Sequence, residues 1–238
     1  MKRRSFITLL GGAAAAAWPL AARAQLQDPT QIDEALKRDP SNAVLQLMAT
    51  TVKAEQETVQ LTNELLAKIE PPLLANDINY ATATRADLEG YRRALRTAEA
   101  NAAAAMTQYV AFLQNERKTV EEFARTLSID KTVIRGLLTG IDKRHAATTA
   151  FTSKQMHARA QLYQSFGKEL DILIEQFGNY KVEANGQFVF SNQELADRYD
   201  TAATEATAAA KRIAELDNEG KILVQRQQEE WERLISGK

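Results

Sequence analysis

Residues 195–216 read LADRYDTAATEATAAAKRIAEL, and apolar side chains recur through this stretch at alternating steps of four and three. Such steps keep side chains on one face of an α-helix, and the resulting heptad is typical of coiled-coil packing. The stretch therefore predicts a long helix with an alanine-rich seam against its neighbours. We define this seam as Leu195, Tyr199, Ala202, Ala206, Ala209, Ile213 and Leu216; the heptad continues to Leu223 and Leu234.

The same spacing occurs upstream, at Leu88, Tyr91, Leu95, Ala98, Ala102, Ala105 and Tyr109, and again at Leu113, Val120 and Leu127. No proline occurs from residue 73 to the end of the chain. Because proline breaks helices and short connections make neighbouring helices antiparallel, these features predict an all-α fold. We expect an elongated, antiparallel, up-down-up-down helical bundle shaped like a rod.

Capping signals place the helix boundaries. Proline is favoured at the first helical position, and a Ser or Thr followed three residues later by an acid forms a capping box. Gly178 is a candidate C-cap. The first two predicted helices span residues 29–38 and 40–69. The third begins at the Thr84 capping box and ends at a turn at 128–130, and the fourth follows that turn and ends at Phe177. The fifth begins at the Ser191 capping box.

The segment 179–194, NYKVEANGQFVFSNQE, departs from the helical pattern and predicts a β-hairpin at residues 180–190, because Asn-Gly between alternating residues is a strong hairpin signal. A two-residue loop would place charged residues opposite aromatic ones. A three-residue loop with Gly186 in the left-handed conformation instead pairs Val182 with Phe188 and Tyr180 with Phe190. We therefore predict the three-residue loop.

An isolated two-stranded hairpin is only marginally stable in water, so its apolar face must cover something. That face comprises Tyr180, Val182, Phe188 and Phe190. In the predicted topology the hairpin lies at the same end as the 70–84 connection, so it is interpreted as a lid on the bundle. The alternative is a recognition head with exposed aromatic side chains.

The first 24 residues have the composition of a cleavable secretory leader, with a basic start, a short apolar run and a small-x-small site at Ala22 and Ala24. Arg3, Arg4 and Phe6 resemble the twin-arginine signature of bacterial Tat leaders. An ordinary Sec leader is the alternative. The resemblance implies export. Cleavage would leave a single mature domain at residues 25–238, which we expect to be a soluble periplasmic protein, since no stretch of it is apolar for long enough to span a membrane.

Several chemistries are not expected. The chain contains no cysteine, which excludes disulfides and thiolate metal sites. Removing the four basic residues of the leader would change the net charge from −1 to −1 − 4 = −5, which argues against nucleic acid as a partner. No Gly-rich phosphate loop, nucleophile elbow or zinc-protease motif occurs. We therefore predict no cofactor, no metal and no enzymatic activity.

A basic run without acids extends from Lys143 to Lys168. Its Lys143, Arg144, Lys154 and Arg159 form a candidate anion-facing patch. The alternative is that the run pairs with the glutamate-rich helix that contains Glu55. His145 falls on the apolar stripe of the fourth helix, where a hydrogen-bonded core histidine is favoured over a metal ligand or a pH switch.

The hairpin region also carries a family resemblance. Val182, Asn185-Gly186, Phe190, Gln193 and Tyr199 resemble the corresponding region of an uncharacterised bacterial envelope family known as domain of unknown function 3053. Members of that family carry a lipid-anchoring cysteine, which this chain lacks. The resemblance therefore implies an envelope location but neither a membrane anchor nor an activity.

Together these features predict a non-enzymatic interaction or scaffold protein of the cell envelope, which binds an envelope protein or associates with itself. The alternative function is a sensor or carrier bundle that holds a small ligand in its core. An exposed aromatic head would favour the first function, and a polar cavity near His145 would favour the second.

Overall fold

The computed structural model describes residues 29–69, 78–184 and 186–236. This part of the chain folds into five α-helices and a two-stranded antiparallel sheet between the last two helices. The elements are α1 (Pro29–Arg38), α2 (Ala43–Ile69), α3 (Arg85–Ala124), α4 (Lys131–Glu175), β1 (Tyr180–Val182), β2 (Phe188–Phe190) and α5 (Gln193–Ser236). The predicted helical bundle with one hairpin is confirmed.

Side chains cap the N-termini of α3 and α4. At α3 the backbone N–H of Thr84 donates to Oδ2 of Asp87 at 2.9 Å, and the N–H of Asp87 donates to Oγ1 of Thr84 at 3.2 Å. This reciprocal pair is the predicted capping box. At α4 the N–H of Thr132 donates to Oδ1 of Asp130 at 2.6 Å, so the predicted 128–130 turn also supplies an N-cap.

Two predicted helix starts were wrong by one to three residues. Helix α2 begins at Ala43 rather than Pro40, because Oδ1 of Asn42 accepts hydrogen bonds from the N–H groups of Val44 and Leu45. Helix α5 is capped by Asn192 rather than Ser191, since its Oδ1 accepts from the N–H of Leu195 at 2.9 Å. In both cases an asparagine nearer the helix takes the capping role.

The end of α4 also differs slightly from the prediction. The helix ends at Glu175, two residues before the predicted Phe177. Gly178 has a φ of 85°, and the N–H of Asn179 donates to the carbonyl of Gln176 at 2.8 Å. Because a side chain is strained at such a φ, glycine permits the chain to leave the helix towards the hairpin here.

The chain divides into two compact units. The hairpin unit contains, of the described residues, 67–69, 78–105, 154–184 and 186–216, and so includes the sheet. The second unit, here called the charge-cluster unit, contains 29–66, 106–153 and 217–236. Helices α2, α3, α4 and α5 each contribute residues to both units, α2 with only its last three residues in the hairpin unit.

In the hairpin unit the alanine-rich seam of α5 is buried. Its members Leu195, Ala202, Ala206, Ala209, Ile213 and Leu216 are each at most 7% exposed, and Tyr199 is partly buried. Ion pairs across α4 and α5 join Lys168 to Glu205 at 2.7 Å and Glu175 to Arg198 at 3.3 Å. Residue numbers rise on one helix as they fall on the other, so the two helices are antiparallel.

In the hairpin unit the side chain of Arg92 on α3 reaches α4 at Gly167. The guanidinium of Arg92 lies over this glycine and donates from Nε to Oδ1 of Asp171 at 2.8 Å. A Cβ added to Gly167 would lie only 2.5 Å from Nη1 of Arg92. The absence of a side chain at residue 167 therefore makes room for the Arg92–Asp171 ion pair.

The core of the charge-cluster unit is formed by α2, α3 and α4. Leucine and alanine from α2 pack with valine and alanine from α3 and isoleucine from α4, and further apolar residues surround them. The buried members are Leu47, Ala54, Val120, Ala124 and Ile141. Among the residues that the structure describes, no helix is long and apolar enough to cross a membrane.

Candidate functional site

The hairpin adopts the predicted register. Tyr180 pairs with Phe190 and Val182 with Phe188. The N–H of Glu183 donates to the carbonyl of Gln187 at 2.9 Å, which closes a three-residue loop, and Gly186 has a φ of 79°. Asn185, the central loop residue, lies outside the described residues. The sorting of apolar and polar side chains between the two faces thus correctly predicted the register.

The inner face of the hairpin packs on other parts of its unit. Ring centroids are 5.0 Å apart for Phe188 and Tyr199 and 5.3 Å apart for Phe190 and Tyr199, and the ring of Phe188 meets the edge of Tyr80 at 5.4 Å. Offset and edge-to-face ring contacts at these distances are favourable. We call Tyr80, Tyr180, Phe188, Phe190 and Tyr199 the aromatic cluster. Its contacts hold the hairpin against α5 and the connection before α3, as a lid requires.

The aromatic cluster borders a carboxylate that sequence analysis did not identify. Oε2 of Glu169, on α4, accepts a hydrogen bond from the hydroxyl of Tyr199 at 3.2 Å. Burial raises the pKa of Glu169 from 4.5 to about 7, and the Tyr199 hydrogen bond opposes this only in part. Burial also raises the pKa of Tyr80 and of Tyr199, and the nearby Glu169 adds to both increases.

The outer face of the hairpin is apolar in part. Val189 pairs across the sheet with the exposed Lys181 and is 45% exposed. Phe177, in the turn that leads to β1, is 38% exposed. We define residues 176–192 as the hairpin segment. In the described part of the hairpin unit, these two are the only large hydrophobic side chains with such exposure.

A second group of polar side chains lies in the charge-cluster unit. Oε1 of Glu116 accepts a hydrogen bond from Nη2 of Arg144 at 2.9 Å and lies 3.1 Å from Nε2 of His145. Nη1 of Arg144 lies 3.9 Å from Oε2 of Glu55. All four side chains are at most 14% exposed. We call Glu55, Glu116, Arg144 and His145 the charge cluster.

The pKa values of the two glutamates of the charge cluster are shifted in opposite directions. Burial raises the pKa of Glu55 from 4.5 to about 7, although the charge of Arg144 opposes the increase. Burial acts in the same direction on Glu116, but the hydrogen bond from His145 and the charge of Arg144 outweigh it and lower its pKa. Glu116 is therefore the ionised partner of Arg144.

The predicted basic patch is only partly at the surface. Lys143 and Lys154 are exposed, whereas Arg159 is 4% exposed and Arg144 is paired with Glu116. The alternative prediction placed the run beside the glutamate-rich helix that contains Glu55. Arg144 lies 3.9 Å from Glu55 of that helix, but its close contact, at 2.9 Å, is with Glu116 of α3. Its guanidinium does not face an external anion.

His145 is a hydrogen-bonded residue of the protein interior, as the sequence favoured. Its neighbour Asp142 is not available as a companion ligand, because its Oδ1 accepts a hydrogen bond from Nε of Arg117 at 2.6 Å. Across residues 29–69, 78–184 and 186–236, no group of three or more His, Cys, Asp or Glu side chains could hold a metal ion. These residues therefore provide no positive sign of an enzyme.

The leader residues Arg3, Arg4, Phe6, Ala22 and Ala24 lie outside the described residues, so the predicted export signal and cleavage site stay predictions. Comparisons with models of known protein families, with curated proteins and with solved structures found no match. The resemblance to the uncharacterised envelope family therefore also stays a prediction, and the functional argument depends on the site itself.

Proposed function

We propose that this chain is an exported, non-enzymatic interaction protein of the cell envelope that contacts a partner protein through its hairpin segment. The observation that carries the proposal is the exposure of Phe177 and Val189 together in that segment. Elsewhere in the described part of the hairpin unit, large hydrophobic side chains are buried or half-buried. Exposed apolar side chains concentrated in one place are typical of protein-binding surfaces.

The two exposed side chains would anchor such a contact. Fully burying a valine or phenylalanine side chain contributes about 1.5–3 kcal/mol, and Phe177 and Val189, which are 38% and 45% exposed, would supply a part of this. Aromatic anchors are frequent hot spots of interfaces. The ring contacts within the aromatic cluster support the outer face from behind. A partner would therefore meet a preorganised surface, which lowers the entropic cost of binding.

The envelope location is proposed from the leader, whose Arg3-Arg4 pair and Ala22-x-Ala24 site are typical of export. It is tested by the intact mass of the protein recovered from the envelope fraction of the cells that make it. A mass beginning at Gln25 is expected. A mass that begins at Met1 would contradict cleavage and the soluble exported form.

The partner contact is tested by site-specific photo-crosslinking in those cells. A photoreactive phenylalanine analogue replaces Val189, and in a matched control it replaces Ile222, which is similarly exposed but belongs to the charge-cluster unit. We expect one discrete crosslinked product from position 189, none from position 222, and loss of that product when Phe177→Asp is added.

Three results would contradict the proposed contact: no product from position 189, equal products from both positions, or a product that Phe177→Asp leaves unchanged. The mass of the product identifies the partner. A product of twice the mass of the chain would identify the partner as a second copy of this protein and not as another envelope protein.

A second candidate function, binding of a small polar ligand, is favoured by one observation. Gln155 on α4 is 3% exposed, and its Nε2 is buried without a hydrogen-bond partner among the described residues. A buried amide group without a partner costs free energy that a bound ligand could recover. Native mass spectrometry distinguishes this function, because it requires additional mass that is released on unfolding and is absent from Gln155→Leu.

A further inference from the structure

The carboxylate of Glu169 is unusual in its surroundings. It is partly buried, and within the described chain no lysine, arginine or histidine forms an ion pair with it. Its hydrogen-bond donor is the hydroxyl of Tyr199. The adjacent Lys168 instead contacts Glu205 at 2.7 Å. A buried carboxylate without a cation is stable when it is protonated and costly when it is ionised.

The titratable groups that surround Glu169 are phenols from several elements. Tyr199 belongs to α5 and Tyr80 to the connection before α3, and both interact electrostatically with Glu169. Tyr180 of β1 and Tyr91 of α3 in turn interact with Tyr80. A phenol is neutral at physiological pH and can donate one hydrogen bond, but it supplies no positive charge. Ionisation of Glu169 is therefore not compensated by a positive charge, and the hydrogen bond from Tyr199 stabilises the ionised form only in part.

We propose that the hairpin is a proton-controlled latch, which is docked on Tyr80 and Tyr199 while Glu169 is protonated and lifts to admit water when Glu169 ionises. The hairpin is the element that can move at the lowest cost. Its strands have three residues each, and ring contacts hold its inner face, whereas α4 and α5 are each more than 40 residues long. Local opening occurs first where few contacts have to be broken.

The direction of the pH dependence follows from linkage. With the hairpin docked, the pKa of Glu169 is about 7, whereas a carboxyl in water has the ordinary value of 4.5. The docked state is therefore fully favoured below about pH 4.5, loses stability as the pH rises from there to about 7, and is weakest above it. Between about pH 5 and about pH 8, the ratio of open to docked molecules rises on the order of tens of fold.

The experiment uses thiol labelling, since the chain has no cysteine of its own. A single cysteine replaces Val182 on the inner face, and in a second protein a single cysteine replaces Val189 on the exposed outer face. The rate of maleimide labelling at position 182 is divided by the rate at position 189, which cancels the effect of pH on the thiol. Both proteins are made with Glu169 and with Glu169→Gln, and Glu175→Gln serves as an exposed control carboxylate on α4.

We expect the labelling ratio to rise several-fold between about pH 5 and about pH 8 with Glu169 or with Glu175→Gln, and to stay constant with Glu169→Gln. The rise is smaller than that of the open population, because position 182 is only half-buried and is also labelled in the docked state. A ratio independent of pH with Glu169 would overturn the latch, as would an equal rise with Glu169→Gln. A rise accompanied by loss of helical circular dichroism would show global unfolding and would also overturn it.

Hydrogen–deuterium exchange supplies a second measurement that needs no cysteine. After correction for the intrinsic effect of pH, exchange in the hairpin segment is expected to increase with pH while exchange in α3 and α4 does not. Uniform behaviour of all three would contradict a local opening. Neither measurement depends on a partner protein. The latch can therefore be disproved without affecting the proposed interaction, and the interaction can be disproved without affecting the latch.

Discussion

Replacing Glu55 by glutamine should remove a large part of the pH dependence of stability. Glu55 is 8% exposed, and its nearest cation, Nη1 of Arg144, is 3.9 Å away, too far for a close ion pair. The ionised Glu116 already occupies the shorter contact with Arg144. Ionisation of Glu55 therefore places a second negative charge in the cluster, with little compensation for the lost hydration.

The magnitude follows from the two protonation equilibria. The pKa of Glu55 is about 7 in the folded protein and 4.5 as the ordinary value, and this difference corresponds to about 3 kcal/mol. Because the folded-state pKa is raised, the contribution of Glu55 to stability is fully present below about pH 4.5 and is lost as the pH rises to about 7. Glutamine keeps the shape and the hydrogen-bonding capacity but cannot ionise.

The assay is urea unfolding, followed by circular dichroism, at several values between about pH 5 and about pH 8. Glu55→Gln and the wild type should have similar free energies of unfolding at the acidic end, and the variant should be more stable by about 2–3 kcal/mol at the alkaline end. Glu57→Gln is the matched control on the same helix, at an exposed position. Other titrating groups cancel in the difference between variant and wild type.

Burial of Glu55 would not be the cause of the pH dependence if the difference between Glu55→Gln and the wild type did not change with pH, or if Glu57→Gln gave the same change. A decrease of the variant's relative stability with rising pH would be equally damaging. That result would mean that the ionised Glu55 stabilises the fold through Arg144 and that burial is the smaller effect.

Two further predictions concern local geometry. Gly167→Ala should change the stability of the wild type little, because the new Cβ displaces the flexible guanidinium of Arg92 from the half-exposed Asp171, and this loss offsets the gain in helix propensity. In an Arg92→Ala background the same change should stabilise by about 1 kcal/mol, because helix propensity alone acts. A double-mutant cycle by urea unfolding measures the coupling, and additivity of the two changes would contradict the steric account. Asn192→Ala should destabilise the protein by about 1 kcal/mol, because α5 loses its N-cap, whereas Ser191→Ala should be close to neutral. Thermal unfolding measures both changes. If Ser191→Ala were the more destabilising of the two, Ser191 would be the N-cap.

The helical architecture could be predicted because the heptad period is long and uninterrupted. The seam at Leu195, Ala202 and Ala209 is buried as the spacing implied. The caps were harder, because Ser191 and Asn192 are adjacent and both suit an N-cap. Which of the two side chains caps α5 depends on the three-dimensional path of the chain, and a sequence pattern does not contain that path.

The buried acids left a signal in the sequence that could have been used. Glu116 lies between Leu113 and Val120 at the same three-and-four spacing as the apolar stripe of α3, and Glu169 follows Leu162 by one heptad. An acid in a seam position indicates a buried partner or an altered pKa. Which of these applies depends on Tyr199 or Arg144, and those partners come from other helices.

The alanine-rich seam limits how the protein can change during evolution. Ala202, Ala206 and Ala209 are 3–6% exposed, so a larger side chain at these positions has to be accommodated by moving a neighbouring helix. A smaller one leaves only a small void. Sequence drift at the seam is therefore asymmetric: glycine can replace one of these alanines at a cost of about 1 kcal/mol in helix propensity, while leucine, the residue most typical of coiled-coil seams elsewhere, would be selected against.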